Sequence, residues 1–168
     1  QVRGPDIMSA LCAASSKEGL KIGFYGGSSP ESLGRIKTAL NSSYPNISIA
    51  YAYSPPFRPL TAGEDIQVVS DINAAAVDVL FVGIGCPKQE YWMAEHKDHL
   101  HCVMLGVGAA FDYLAGEKNH APRWMQKIGM EWLFRLCSEP KRLWRRYLSA
   151  NPRFVWYFLQ QWLFGRKF

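Results

Sequence analysis

With 168 residues and 48% hydrophobic content, the chain can bury a real core as one globular domain. No apolar run approaches the ~20 residues that cross a bilayer as a helix, and no secretory signal pattern opens the sequence. The formal charge of +5 is unevenly spread: residues 1–116 carry 8 Lys and Arg against 11 Asp and Glu, and residues 117–168 carry 11 against 3. A mildly acidic domain followed by a strongly basic tail predicts a polyanionic partner for the tail alone.

The four cysteines, Cys12, Cys86, Cys102 and Cys137, show neither a CxxC pair nor metal-ligand spacing. They read as buried free thiols of a reducing compartment, hence the cytoplasm. His96, His99 and His101 are expected to decorate the surface end of a helix rather than to bind metal.

In chain order, Asp6 to Glu18 carries Ile7, Met8, Leu11 and Cys12 at helical spacing and is closed by Gly19. Lys21 to Tyr25 is a short strand delivering Gly26 and Gly27; Ser28 or Ser29 then caps a helix with Pro30 and Glu31 in its first turn. Ile47 to Tyr53 is a second strand, and Ser54-Pro55-Pro56-Phe57 a rigid loop. Thr61-Ala-Gly-Glu64 has the capping-box form and opens a helix expected to turn Ile66, Val69 and Ile72 inward. A strand from Val77, a helix from Pro87, a strand from Cys102 and a helical turn over 109–114 complete the alternation. The pattern predicts a Rossmann-like α/β fold with a mostly parallel sheet flanked by helices. We divide the chain into an α/β ligand-binding domain at 1–118 and a helical basic-aromatic appendage at 119–168.

The stretch from Val79 to Glu90 concentrates the chemistry. A continuous apolar run, as in a strand buried on both faces, ends in Gly83-Ile-Gly85 and continues as Cys86-Pro87-Lys88-Gln89-Glu90. Glycine-ended strands leading into polar helix starts are where open α/β sheets bind ligands, and the exposed amides there favour anions. A near-copy follows: Cys102 to Gly108 also ends Gly-x-Gly and leads to Phe111-Asp112. The dinucleotide fingerprint G-x-G-x-x-G with a downstream acid is absent, as are a phosphate-binding G-x-x-x-x-G-K-[ST] loop and a G-x-S-x-G nucleophile elbow.

Arg3-Gly-Pro-Asp6, Tyr25-Gly-Gly27, Ser54-Pro-Pro-Phe57, Gly83 to Glu90, Gly106-Val-Gly108, Phe111-Asp112, Ala115-Gly116, Ala121-Pro122, Glu131-Trp132, Arg135-Leu136, Glu139-Pro140 and Arg145-Arg-Tyr147 together resemble the WecG/TagA/CpsF glycosyltransferase family. The resemblance runs along essentially the whole chain. It implies transfer of N-acetylmannosamine, its uronic acid or a related hexose from a UDP-sugar to a polyprenyl-diphosphate-linked GlcNAc, with inversion, in bacterial polysaccharide or teichoic acid synthesis. Gly26, Gly27, Gly85, Pro87, Lys88, Gln89, Glu90, Gly108, Phe111 and Asp112 are then the expected donor-binding residues. The resemblance also places the family's catalytic base upstream of residue 1, leaving Asp6, Glu90 and Asp112 as candidates within the chain. Where the family has Arg-Ala-Pro, this chain reads His120-Ala-Pro. A catalytically inactive UDP-sugar-binding or scaffold protein is the alternative.

No Asp-x-Asp dyad occurs, so no metal or other cofactor is expected and leaving-group charge falls to Arg, Lys or backbone amides. Arg135, Arg142 and Arg145 stand at i, i+7 and i+10 across Pro140, one helical face suited to an acceptor diphosphate. Aromatic residues interleave these charges, a pattern that also suits single-stranded nucleic acid, but no RNA-binding signature accompanies it and nucleic acid is not an expected partner. Arg153 to Phe168 is the most aromatic stretch; Trp156, Tyr157, Trp162 and Phe164 suit an interfacial helix at the inner face of the cell membrane. The same stretch could instead bury itself in a homo-oligomer.

Overall fold

The computed structural model describes residues 3–117 and 121–164; the side chains of Gln126, Lys127, Arg142, Arg146, Tyr147, Ser149, Ala150 and Phe164 lie outside that description. Contacts divide the chain into two compact units, Gln1–Asn119 and His120–Phe168.

The first unit is a Rossmann-like α/β layer. Four parallel strands, β1 (Lys21–Gly26), β2 (Ser48–Tyr53), β3 (Val79–Gly83) and β4 (Val103–Gly106), lie in the order β2-β1-β3-β4. Helices α1 (Gly4–Glu18), α2 (Pro30–Ser43) and α5 (Ala110–Leu114) supply one face, α3 (Ala62–Ala74) and α4 (Lys88–His96) the other. The alternation of strand side chains explains the two cores. Ile22, Phe24, Val79 and Phe81 point to the α1/α2/α5 side with Met8, Ile36 and Phe111. Tyr25, Leu80 and Val82 point to the α3/α4 side with Val68, Ile72 and Trp92.

The caps follow the local sequence. Ser29 accepts the Ser32 amide at the start of α2, and Thr61 and Glu64 form a reciprocal capping box at the start of α3. Gly19 ends α1 in the left-handed conformation at φ 76°. Pro87 precedes α4 as its N-cap instead of lying in its first turn.

Three expectations are corrected. The buried face of α3 runs through Val68 and Ile72, while Ile66 is 70% exposed. The inward stripe includes Asp65, because His96 of α4 supplies it with a partner. Of the cysteines only Cys12 is fully buried; Cys86 and Cys137 are exposed. His96 is itself buried, its ring stacked on Trp92, and only His99 and His101 lie on the surface.

The second unit is helical: α6 (Arg123–Lys127), α7 (Glu131–Ser138) and α8 (Pro140–Phe164). The aromatic stretch after Arg153 is not a separate helix. It continues α8, which carries Pro152 inside it.

Candidate functional site

The strand order places a topological switch point between β1 and β3. From β1 the chain crosses outward to β2, then returns to β3 on the other side of β1 and continues outward to β4. The crevice beyond the carboxyl ends at such a point is the preferred ligand site of an open α/β sheet. Here the register makes those ends glycine: Gly26 pairs with Gly83, and Val82 with Gly106.

These glycines do different jobs. A Cβ on Gly26 would stand 2.5 Å from the carbonyl carbon and oxygen of Gly83, and its φ of 132° suits glycine alone. The Gly27 amide then donates to the Gly83 carbonyl at 3.2 Å, closing the strand ends together. Gly83 in turn lies under the ring of Phe111, with room for no side chain. Gly26 and Gly83 therefore bring β1, β3 and α5 into close packing. Gly85, at φ 90° with nothing within 4 Å of its would-be Cβ, faces open space at the start of α4.

Gln89 occupies the next position around the edge. A Cβ on Gly106 would meet Gln89 Nε2 and Met93 Cε at 2.9 Å, and one on Gly108 would lie 3.6 Å from Gln89 Oε1. The missing side chains at 106 and 108 thus make the slot that receives the Gln89 amide. Gln89 is 5% exposed; Nε2 donates to Glu90 Oε1 at 2.9 Å, and Oε1 has no hydrogen-bond partner among the described residues. A buried acceptor left unsatisfied costs about 1–3 kcal/mol. Lys88 and Glu90 flank it, both exposed.

Phe111, expected at the ligand, is a core residue at 1% exposure, packed on Phe24 at 5.8 Å between ring centroids. Its ring also packs against Gly83. Asp112 follows it, half-buried in α5. Asp6 lies in the first turn of α1, where a Cβ on Gly4 would lie 3.2 Å from the Val107 carbonyl. The Asp6 carboxylate receives Arg3 through Nε at 2.7 Å and Nη2 at 2.9 Å. Ser54, in the loop after β2, donates to the Gly27 carbonyl at 3.5 Å, and Phe57 beyond it is 90% exposed.

Two polar clusters escaped the sequence reading. In the first, the Glu117 carboxylate accepts Ser28 Oγ at 3.2 and 3.1 Å and pairs with the Arg35 guanidinium. In the second, buried His96 joins Nε2 to Asp65 Oδ2 at 2.8 Å and Nδ1 to the Trp92 carbonyl at 2.7 Å. Trp92 stacks on Tyr25 at 4.3 Å, and burial, followed by the charge of Asp65, raises the Tyr25 phenol well above its ordinary pKa. This ladder fastens α4, and with it Gln89, to α3 and β1. Separations of 82 residues in the first cluster and 31 in the second leave no local signal. Among the described residues no three His, Cys, Asp or Glu side chains converge as metal ligands would.

In the second unit, Arg135 pairs with Glu131 at 2.5 Å along α7, and Arg145 lies exposed near the Trp144 ring, 5.3 Å from its centroid. The Arg142 side chain lies outside the described residues. Trp132 and Leu136 of α7 with Trp144, Leu148, Val155 and Trp156 of α8 line an apolar groove of about 680 Å³. Trp156, Tyr157 and Trp162 are all exposed, while the Phe164 side chain is not described. Among the described residues no helix is long and apolar enough to cross a membrane.

A parallel sheet whose glycine-ended strands open onto a polar crevice is a sugar-nucleotide architecture as readily as any other, and the fold alone does not choose. The whole-chain comparison does: the model of the glycosyl transferase WecG/TagA/CpsF family matches residues 1–168. The chain therefore belongs to the WecG/TagA/CpsF family of glycosyltransferases, whose members act in cell-surface polysaccharide synthesis.

Proposed function

We propose that this glycosyltransferase takes its sugar from a UDP-sugar. It carries N-acetylmannosamine, its uronic acid or a related hexose, and transfers it with inversion to a polyprenyl-diphosphate-linked GlcNAc at the cytoplasmic face of a bacterial membrane. The observation that carries the reading is Gln89. Its buried, unpartnered Oε1 at the switch point suits a ligand rich in N–H and O–H donors, such as uracil or a sugar. Gly85 and Gly108 let such a ligand approach the backbone, and Lys88 offers a point charge to its diphosphate.

Inversion needs one displacement at the anomeric carbon: the acceptor hydroxyl loses its proton to a carboxylate as UDP departs. Asp6, Glu90 and Asp112 are the carboxylates we assign to this edge as candidate bases. Arg135, Arg142 and Arg145 are proposed to hold the acceptor diphosphate, a role that fits guanidinium groups. With no Asp-x-Asp dyad in the sequence, we expect transfer to proceed without a metal ion.

Calorimetric titration with UDP and with UDP-N-acetylmannosamine tests the donor, using ADP as the comparison. Tighter binding of the uridine nucleotides supports the proposal; equal or absent binding refutes it. Transfer to a short-chain lipid-diphosphate acceptor, followed by NMR of the new glycosidic bond and repeated with EDTA, tests inversion and metal independence.

A further inference from the structure

The Glu117 cluster has the composition of an anion site. Ser28 closes the Gly26-Gly27 turn, and α2 begins two residues later with a helix of 14 residues whose N-terminus carries partial positive charge. Arg35, one turn further along, reaches the same point and is exposed to solvent. Ser32 lies between them on α2, fully buried, and its hydroxyl has no hydrogen-bond partner among the described residues. Its backbone amide is taken by Ser29, which caps the helix, so only the hydroxyl remains to be satisfied. Glu31, the acid of this turn, has its carboxyl pKa lowered, chiefly by the Ser29 hydroxyl. What faces the serines and Arg35 is instead a carboxylate brought from a distant part of the chain, that of Glu117.

We infer that Ser28, Ser32, Arg35 and the N-terminus of α2 form a binding site for a phosphate oxyanion, and that the Glu117 carboxylate stands in the place of that oxyanion. Two hydroxyl donors, a guanidinium and a helix N-terminus are the groups that recognise phosphate. The Ser32 hydroxyl is the largest influence lowering the Glu117 carboxyl pKa, followed among the lowering groups by Arg35 and Ser28, while burial opposes them. Yet Ser32 makes no bond of good geometry to Glu117. A flat carboxylate with two oxygens leaves that hydroxyl unsatisfied, whereas a tetrahedral phosphate offers a third oxygen to it. Glu117 is thus a built-in competitor that an incoming phosphate must displace.

The site rests on the geometry of α2 and not on the donor assignment, and its test uses inorganic diphosphate as the probe. In calorimetry with the full chain, Glu117→Gln should bind diphosphate about tenfold more tightly than the parent, because a like charge within contact distance is removed. Adding Arg35→Gln should abolish that gain. Both residues are surface side chains, and thermal denaturation checks that the variants stay folded. Equal affinity in parent and Glu117→Gln overturns the inference, as does a gain that survives Arg35→Gln. Repeating the comparison with UDP and with farnesyl diphosphate distinguishes the source of the phosphate. A gain for UDP places the donor diphosphate here; a gain for the prenyl diphosphate alone places the acceptor's. Loss of all UDP binding with the diphosphate gain intact would refute the donor proposal and leave this site standing.

Discussion

Gln89 fills the volume that a side chain at Gly106 would need, its Nε2 only 2.9 Å from the position of that absent Cβ. The two residues belong to different elements, α4 and β4, so the glycine fixes where the amide sits. Gly106→Ala should therefore push Gln89 and Met93 aside without altering any atom of the amide itself. We expect Gly106→Ala and Gln89→Ala each to weaken UDP binding by about threefold to tenfold, the worth of one hydrogen bond. Isothermal titration checks both. Wild-type affinity in the two variants would remove Gln89 from the site.

Gly26 and Gly85 both hold positive φ, 132° and 90°, but only Gly26 is also crowded by backbone. Gly85→Ala should cost about 1 kcal/mol, the conformational term alone. Gly26→Ala must also separate β1 from β3 and should cost at least about 3 kcal/mol. Urea denaturation measures the two side by side. Equal losses would mean that the contact with Gly83 relaxes freely.

The outline of this fold was legible because its signals are local. Apolar runs ending in Gly-x-Gly at Gly83–Gly85 and Gly106–Gly108, and the capping box at Thr61–Glu64, need only neighbours in sequence to be read. The inner face of α3 was misjudged because three-residue spacing favoured Ile66, when the true stripe admits Asp65 through its bond to His96. The oxyanion cluster was invisible for the same reason, since Arg35 and Glu117 meet only through the fold. Gln89 was singled out by its motif; its burial, and the slot made for it by Gly106, required the structure.

Stability in acid should depend on Glu64. Its hydrogen bonds from the Arg58 guanidinium and then the Thr61 amide lower its carboxyl pKa from 4.5 to about 2. A folded-state pKa below the unfolded one means that the contribution is fully present above pH 4.5 and is lost as pH falls toward about 2. Glu64→Gln should flatten the fall in melting temperature between pH 4.5 and about 2 relative to the parent. Parallel curves for the two proteins would show that the Arg58–Glu64 pair is not felt in solution.

The exposed aromatic residues of α8 carry the membrane proposal. Phe154, Trp156, Tyr157, Phe158, Trp162 and Leu163 are all exposed, on more than one side of the helix, and Arg145 and Arg153 add positive charge. Trp and Tyr settle at the headgroup level and cations draw the helix to anionic lipid, so the helix should lie in the interface. Burying one such side chain is worth about 1.5–3 kcal/mol, so Trp156→Ser with Trp162→Ser should lower vesicle partitioning by at least about a hundredfold. In a flotation assay the parent should rise with anionic liposomes, less so at high salt, and the double variant should remain in the lower fraction. Light scattering on the same samples tests the competing occupant of these side chains, a second copy of the chain. If neither protein floats and the double variant changes oligomer size, α8 is a subunit contact and the membrane assignment fails.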